Sequence, residues 1–193
     1  MQRILDLARN HRVIFADAEY LNESLSLGIR PTQDHWKEVT QIGAVRCEKG
    51  KICETFNMSV LPRIMGKDIS QMNEISWQRY EQITGVNKET VMSVSMHFED
   101  AWEKFKAFVG NDPIVIMLGD REVYKWNWKL LNEDKNEEID KMDWIILKPQ
   151  LKNEHKSYCS GELASLLNIK IDGNTHDALY DAMSMALYCL NIE

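Results

Sequence analysis

The chain has 193 residues, of which 44% are apolar and 27% charged, and a formal net charge of −7. That is enough apolar material for one globular domain over residues 1–193, with a core from about 12 to 190, and it excludes disordered, collagen-like and coiled-coil chains. The negative charge excludes a protein that coats a polyanion through a broad basic face, so any polyanion must be bound locally.

No run approaches the ~20 apolar residues of a membrane span, so no membrane partner is expected. The N-terminal stretch MQRILDLARNHR has neither a continuous apolar region nor a small-residue cleavage site, and no secretion signal is read there. Cys47, Cys53, Cys159 and Cys189 form no CxxC pair. A reduced, cytoplasmic protein is expected, without a zinc site or a disulfide framework.

In chain order, Arg12–Ala16 (RVIFA) is rich in β-formers and predicts a strand. Residues 20–36 hold Asn, Ser, Gly and Pro and read as a long loop. Glu38–Cys47 and Lys51–Leu61 are strand-like, and the glycine in EKGK suits the tight turn of an antiparallel hairpin. A short helix is predicted around Ser76–Gln82. Phe98, Trp102, Phe105, Phe108 and Val109 recur at spacings of three and four, which marks an amphipathic helix that Gly110 can stop. Pro113 opens a strand, IVIML, and Val123–Leu131 looks helical. Asn132–Lys141 is an acidic, polar loop, and Trp144–Leu147 is strand-like. Ser160–Leu167 reads as a helix, and Thr175 can cap a last helix running through Tyr188. A hairpin beside alternating strands and helices predicts an α/β fold, a mixed sheet with helices packed on it.

Three places carry candidate chemistry. Asp17 and Glu19 stand in FADAEY at the end of the first strand, where side chains two apart share a face. Two like charges held together are costly unless neutralised, and carboxylate oxygens suit hard divalent ions such as magnesium or manganese. The alternative is a pair of solvated strand-end charges. Asp120 follows the strand IVIML and Gly119 at the mouth of a helix, where open α/β sheets build their sites. The alternative there is an ordinary helix cap. Glu122 competes for the same role, but Val123 can turn inward to anchor Asp120, whereas the matching position for Glu122 is Lys125. Last, NTHDALYDAM places His176 and Asp181 at the start of the final helix. In a continuous helix the two would not share a face, so the histidine is expected on the loop before the helix or in its frayed first turn. The alternative for His176 is an ordinary hydrogen bond at a helix start.

With these motifs in hand, the chain resembles the DEDDh family of 3′–5′ exonucleases, and within it the branch acting in RNA interference and histone mRNA decay. The resemblance runs from about Arg12 to Leu190 and rests on Asp17-x-Glu19, Asp120 and His176-xxxx-Asp181, with EVTQIGAV, ITGV, YCSGEL and HDALYDA in support. Tyr20 departs from it, since a small residue usually follows the glutamate. The resemblance implies a ribonuclease H-like fold, a five-stranded mixed sheet flanked by helices. It also implies two divalent cations, Mg2+ or Mn2+, roughly 3.5–4 Å apart, held by Asp17, Glu19, Asp120 and Asp181, with His176 as general base. The expected activity is removal of nucleoside 5′-monophosphates from single-stranded 3′ ends, RNA being favoured over DNA. Tyr20 or Leu21 would stack on the terminal base, and the segment of residues 83–86, which contains Gly85, resembles one that lies near the 3′ nucleotide. Two rivals stay open: an exonuclease fold used as a binding module with weak chemistry, and a hydrolase of short oligonucleotides or signalling nucleotides. Trp77, Trp126 and Trp128 are candidate platforms that helical spacing places more naturally in the core.

Overall fold

The computed structural model describes residues 1–22, 37–62, 77–78, 80–82, 85–94, 96–111, 114–119 and 121–192. Five strands form one sheet: β1 (Arg12–Asn22), β2 (Lys37–Glu48), β3 (Lys51–Ser59), β4 (Ile114–Met117) and β5 (Asp143–Ile146), in the spatial order β3-β2-β1-β4-β5. β1 pairs antiparallel with β2 and parallel with β4, β2 pairs antiparallel with β3, and β4 pairs parallel with β5. The mixed five-stranded sheet expected from the sequence is therefore present. The β2–β3 turn has Lys49 at φ 48° and Gly50 at φ 79°. Two successive positive φ values match the twist of the flanking strands, which is why a glycine serves there.

The helices are α1 (Gln2–Asn10), α2 (Lys88–Ser93), α3 (Phe98–Val109), α4 (Glu122–Leu130), α5 (Asn136–Asp140) and α6 (Ala178–Asn191), and residues 77–78 and 80–82 are also helical. Alternation along β1 sorts its side chains between two cores. Ile14, Ala16 and Ala18 join Trp102, Phe105 and Tyr124 from α3 and α4. Val13 and Phe15 join Ile4, Leu5 and Ala8 of α1 and Ala182, Met185 and Ala186 of α6. A third, smaller cluster joins Leu21, Trp77, Tyr80 and Val91. Trp77 and Trp128 are buried in core.

Several expectations are corrected. β1 runs on to Asn22, beyond the predicted Ala16, because β2 pairs with it along its whole length. The loop predicted over residues 20–36 thus begins as strand, and from residue 23 it lies outside the described residues, as does Pro113. α1 was not anticipated; Ile4, Leu5 and Ala8 bury one face of it. The acidic loop predicted over Asn132–Lys141 contains α5, because fully buried Ile139 plugs the main core while Glu138 pairs with Lys106 at 2.9 Å. Ser160–Leu167 forms two 3₁₀ turns, Ser160–Glu162 and Ala164–Leu167, rather than one α-helix. α6 begins at Ala178 with Asp177, not Thr175, as its cap: the Asp177 carboxylate accepts from the N–H groups of Leu179 at 3.1 Å and Tyr180 at 3.0 Å.

Candidate active site

The odd-numbered face of β1 changes character along its length. Val13 and Phe15 are buried under α6, and the next two residues on that face are Asp17 and Glu19. The start of α6 crosses the sheet at this point. Gly43 of β2 lies opposite Asp17 in the register. A β-carbon on Gly43 would stand 2.1 Å from the Ala178 carbonyl carbon and the Leu179 nitrogen. Only glycine lets the helix approach so closely. Gln41 locks the crossing: its Nε2 donates to Asp177 Oδ2 at 2.9 Å, and its Oε1 accepts from the Ala178 N–H at 3.1 Å.

This crossing brings Asp181, in the first turn of α6, down beside the strand acids. One ligand atom from each of Glu19, His176 and Asp181 lies within 4.8 Å of the other two. His176 sits outside the helix, as expected, on a left-handed residue at φ 66° directly before the cap. Its backbone N–H donates to Asp181 Oδ1 at 3.2 Å. A non-glycine residue in that conformation is uncommon and is found preferentially where surrounding structure holds it. Here the hydrogen bond to Asp181 and the cap at Asp177 do so. Asp17 is partly buried and couples electrostatically to both Asp181 and Glu19.

Ser160 and Gly161, from YCSGEL, complete the floor. The buried Ser160 hydroxyl donates to Asp181 Oδ2 at 2.8 Å. Gly161 has no room for a side chain, since a β-carbon there would meet Asp181 Oδ1 at 2.3 Å. Sequence reasoning assigned no role to Ser160, Gly161, Gln41, Gly43 or Asp177. The signal available was their place inside the segments YCSGEL, EVTQIGAV and HDALYDA, which carried the family resemblance.

The electrostatics are those of acids held together against their repulsion. Burial, then Asp181 and Glu19, hold the Asp17 carboxyl well above its ordinary range. Burial, then Asp181 and Asp177, push Glu19 up to about 8. Burial raises Asp181 despite its hydrogen bonds from Ser160 and the His176 N–H. Among the described residues no lysine or arginine contributes to the field at any of the three. Each acid therefore holds its proton more tightly folded than unfolded, and without cations stability falls as pH rises from the ordinary carboxylate range to about 8. The melting temperature in chelator is expected to drop across that window, with Glu19 alone contributing a loss of up to about 1.4 kcal/mol of stability per pH unit. Glu19→Gln should flatten the drop, and Mn2+ should reverse it. A melting temperature that is flat or rising in wild type would contradict this account of the site.

The remaining candidates are placed as follows. Asp120 lies outside the described residues. Glu122 is at the start of α4, 3.4 Å from Lys125 Nζ. Tyr124, fully buried on α4, couples to Asp17, and burial followed by that charge raises its hydroxyl far above its ordinary value. Tyr20 is partly buried, with Lys37 Nζ 5.3 Å from its ring centre. Leu21 is buried against Trp77, Tyr80 and Val91, so its side chain faces that cluster. Gly85, at φ 73°, is exposed and lines a cavity of about 410 Å³ with Val86, Leu179, Tyr180 and Asp177. Ile83 and Thr84 of the same segment lie outside the described residues.

The fold has known counterparts. The chain resembles the nuclease domain of 3′hExo, described as a DEDDh family member bound to rAMP, at 15% identity and a TM-score of 0.69, over 94% of this chain and 90% of that one. It resembles S. pombe Pop2p in its Mg2+- and Mn2+-bound form at 16% identity and a TM-score of 0.65, over 98% and 85% of the two chains. It also resembles Exonuclease X in complex with 5′-overhanging duplex DNA, at 17% identity and a TM-score of 0.56, over 93% and 89%. At these identities the likeness establishes the ribonuclease H-like exonuclease fold. No curated protein matches the chain in sequence. The family described as exonuclease, of the RNase T type, matches residues 26–188, most of the chain, and the protein belongs to that family.

Proposed function

We propose that this chain is a metal-dependent 3′–5′ exonuclease of the DEDDh type that hydrolyses single-stranded nucleic acid, RNA in preference to DNA, to nucleoside 5′-monophosphates. The observation that carries the proposal is the convergence of Glu19, His176 and Asp181 within 4.8 Å from opposite ends of the chain. The donor set fits hard divalent cations: carboxylate oxygens in excess, one imidazole, and acids that burial and their mutual repulsion hold above their ordinary range. Mg2+ or Mn2+ ions held by Asp17, Glu19, Asp181 and Asp120 would supply the positive charge that acidifies an attacking water and stabilises the leaving 3′ oxygen.

The protein's own groups do the rest. His176 accepts the proton of the attacking water as general base, and its left-handed backbone sets the imidazole beside Glu19 and Asp181. Ser160 and the His176 N–H each hold one oxygen of Asp181, which keeps that carboxylate from rotating away. Asp120 is preferred to Glu122 as the fourth acid because the Glu122 carboxylate is already engaged by Lys125. Tyr20 and Gly85 meet the terminal nucleotide, and Leu21, covered by Trp77 and Tyr80, supports that wall from behind. The preference for RNA draws support from the rAMP in the 3′hExo structure and from a 3′-exonuclease of the same fold that recognises the histone mRNA stem-loop.

The test uses purified protein, Mn2+ and 5′-labelled RNA and DNA oligonucleotides of one sequence. A ladder shortened from the 3′ end is expected, faster on RNA, releasing nucleoside monophosphates and stopping with chelator. Tight binding without shortening would replace the proposal with a binding module, and cleavage confined to dinucleotides would replace it with a short-oligonucleotide hydrolase.

A further inference from the structure

We infer that Ser160 is a positioning residue whose hydroxyl holds the Asp181 carboxylate in the arrangement that takes up a divalent cation. The inference rests on the reading of this site as a metal centre and adds a device to it. Two like charges close together in a partly buried site drive each other toward solvent unless something fixes them. A serine hydroxyl has one proton to donate and two lone pairs. That proton goes to Asp181 Oδ2 at 2.8 Å.

The local chain is built to present this group. Ser160 opens a 3₁₀ turn closed by a capping box, in which the Cys159 N–H donates to Glu162 Oε2 at 2.9 Å. The next residue, Gly161, lays bare backbone against Asp181 Oδ1, where any β-carbon would collide at 2.3 Å. The turn thus delivers a donor to one oxygen and a close-fitting wall to the other, while the His176 N–H occupies one position on that second oxygen. Each oxygen keeps a further lone pair for a cation. Groups that orient ligands in this way govern metal affinity as well as geometry.

The experiment is direct Mn2+ binding, read from the loss of the free-ion electron paramagnetic resonance signal, with melting temperature in chelator as the check on folding. Ser160→Ala is expected to weaken Mn2+ binding about 10-fold or more. Ser160→Cys, which keeps the shape but donates weakly, should show a similar loss. Ser184→Ala is the packing control. Ser184 is fully buried and its hydroxyl accepts from the Ala164 N–H at 3.0 Å, so it ties the same turn region to α6 through the backbone. It should bind Mn2+ within about twofold of wild type, as residues outside the ligand-orienting shell do. Equal binding by Ser160→Ala and wild type, wild-type affinity in Ser160→Cys, or equal losses in Ser160→Ala and Ser184→Ala would each overturn the inference while leaving the metal centre standing. If wild type itself takes up no Mn2+, the metal centre falls, and the role of Ser160 falls with it.

Discussion

Asp17→Asn is expected to slow 3′ shortening by about 10³-fold or more while making the chelated protein more stable, not less. The two effects have one cause. Asp17 is an unfavourably placed charge, partly buried and raised by burial and by the charges of Asp181 and Glu19. On the proposed reading that charge would be a ligand when cations are present, and replacing it by a neutral amide would remove several kcal/mol of electrostatic help at the reacting phosphate. With cations absent it is only a liability. Because the folded state holds the Asp17 proton well above the usual carboxylate range, wild type loses stability as pH rises through that region, and Asn has no charge to lose. The gain in melting temperature should grow as pH rises above the ordinary carboxylate range and fade as pH falls back into it. Parallel rate measurements in Mn2+ and melts in chelator check both halves. A variant that cleaves at the wild-type rate would show the activity to be foreign to this site. A variant less stable than wild type in chelator at pH 8 would show that Asp17 is structural.

Gly43→Ala should be the most damaging single-methyl change in the sheet. The new β-carbon would stand 2.1 Å from backbone atoms of Ala178 and Leu179, and backbone at a helix start cannot swing aside as a side-chain tip can. Either α6 lifts from β2 or β2 bends away from β1. Both break the hydrogen bonds from Gln41 to Asp177 and from the Ala178 N–H to Gln41. A loss of roughly 3 kcal/mol in urea unfolding is expected, at the upper end of overpacking effects. The functional consequence goes further, because lifting α6 carries Asp181 and His176 away from Glu19. Mn2+ uptake should fail even in the fraction that folds. Stability within about 1 kcal/mol of wild type would mean that the helix and strand are not in this contact.

Much of the fold was legible because it is written in local periodicity. Phe98, Trp102, Phe105 and Phe108 mark α3 without any knowledge of what they touch, and the EKGK turn announces the β2–β3 hairpin. What escaped was set by distant partners. α1 carries only Ile4, Leu5 and Ala8 as its signal, and they are informative once α6 lies over them. α5 reads as a polar loop because one residue, Ile139, commits it to the core. Thr175 looked like the cap of the last helix, but the left-handed turn at His176 moves the start to Ala178 and passes the cap to Asp177.

The site divides in the same way. Sequence alone determined the acid-x-acid pair at the end of a strand, the histidine detached from its helix, and the family pattern that joins them, because each depends on spacing within a few residues. Only the tertiary structure decided that α6 would cross β2 at Gly43, and that Ser160 would meet one oxygen of Asp181 and Gly161 the other. Those are matters of close approach between segments far apart in the chain. Their determinants, a missing β-carbon here and a single hydroxyl there, have no period along the sequence and acquire meaning only from what lies across the gap.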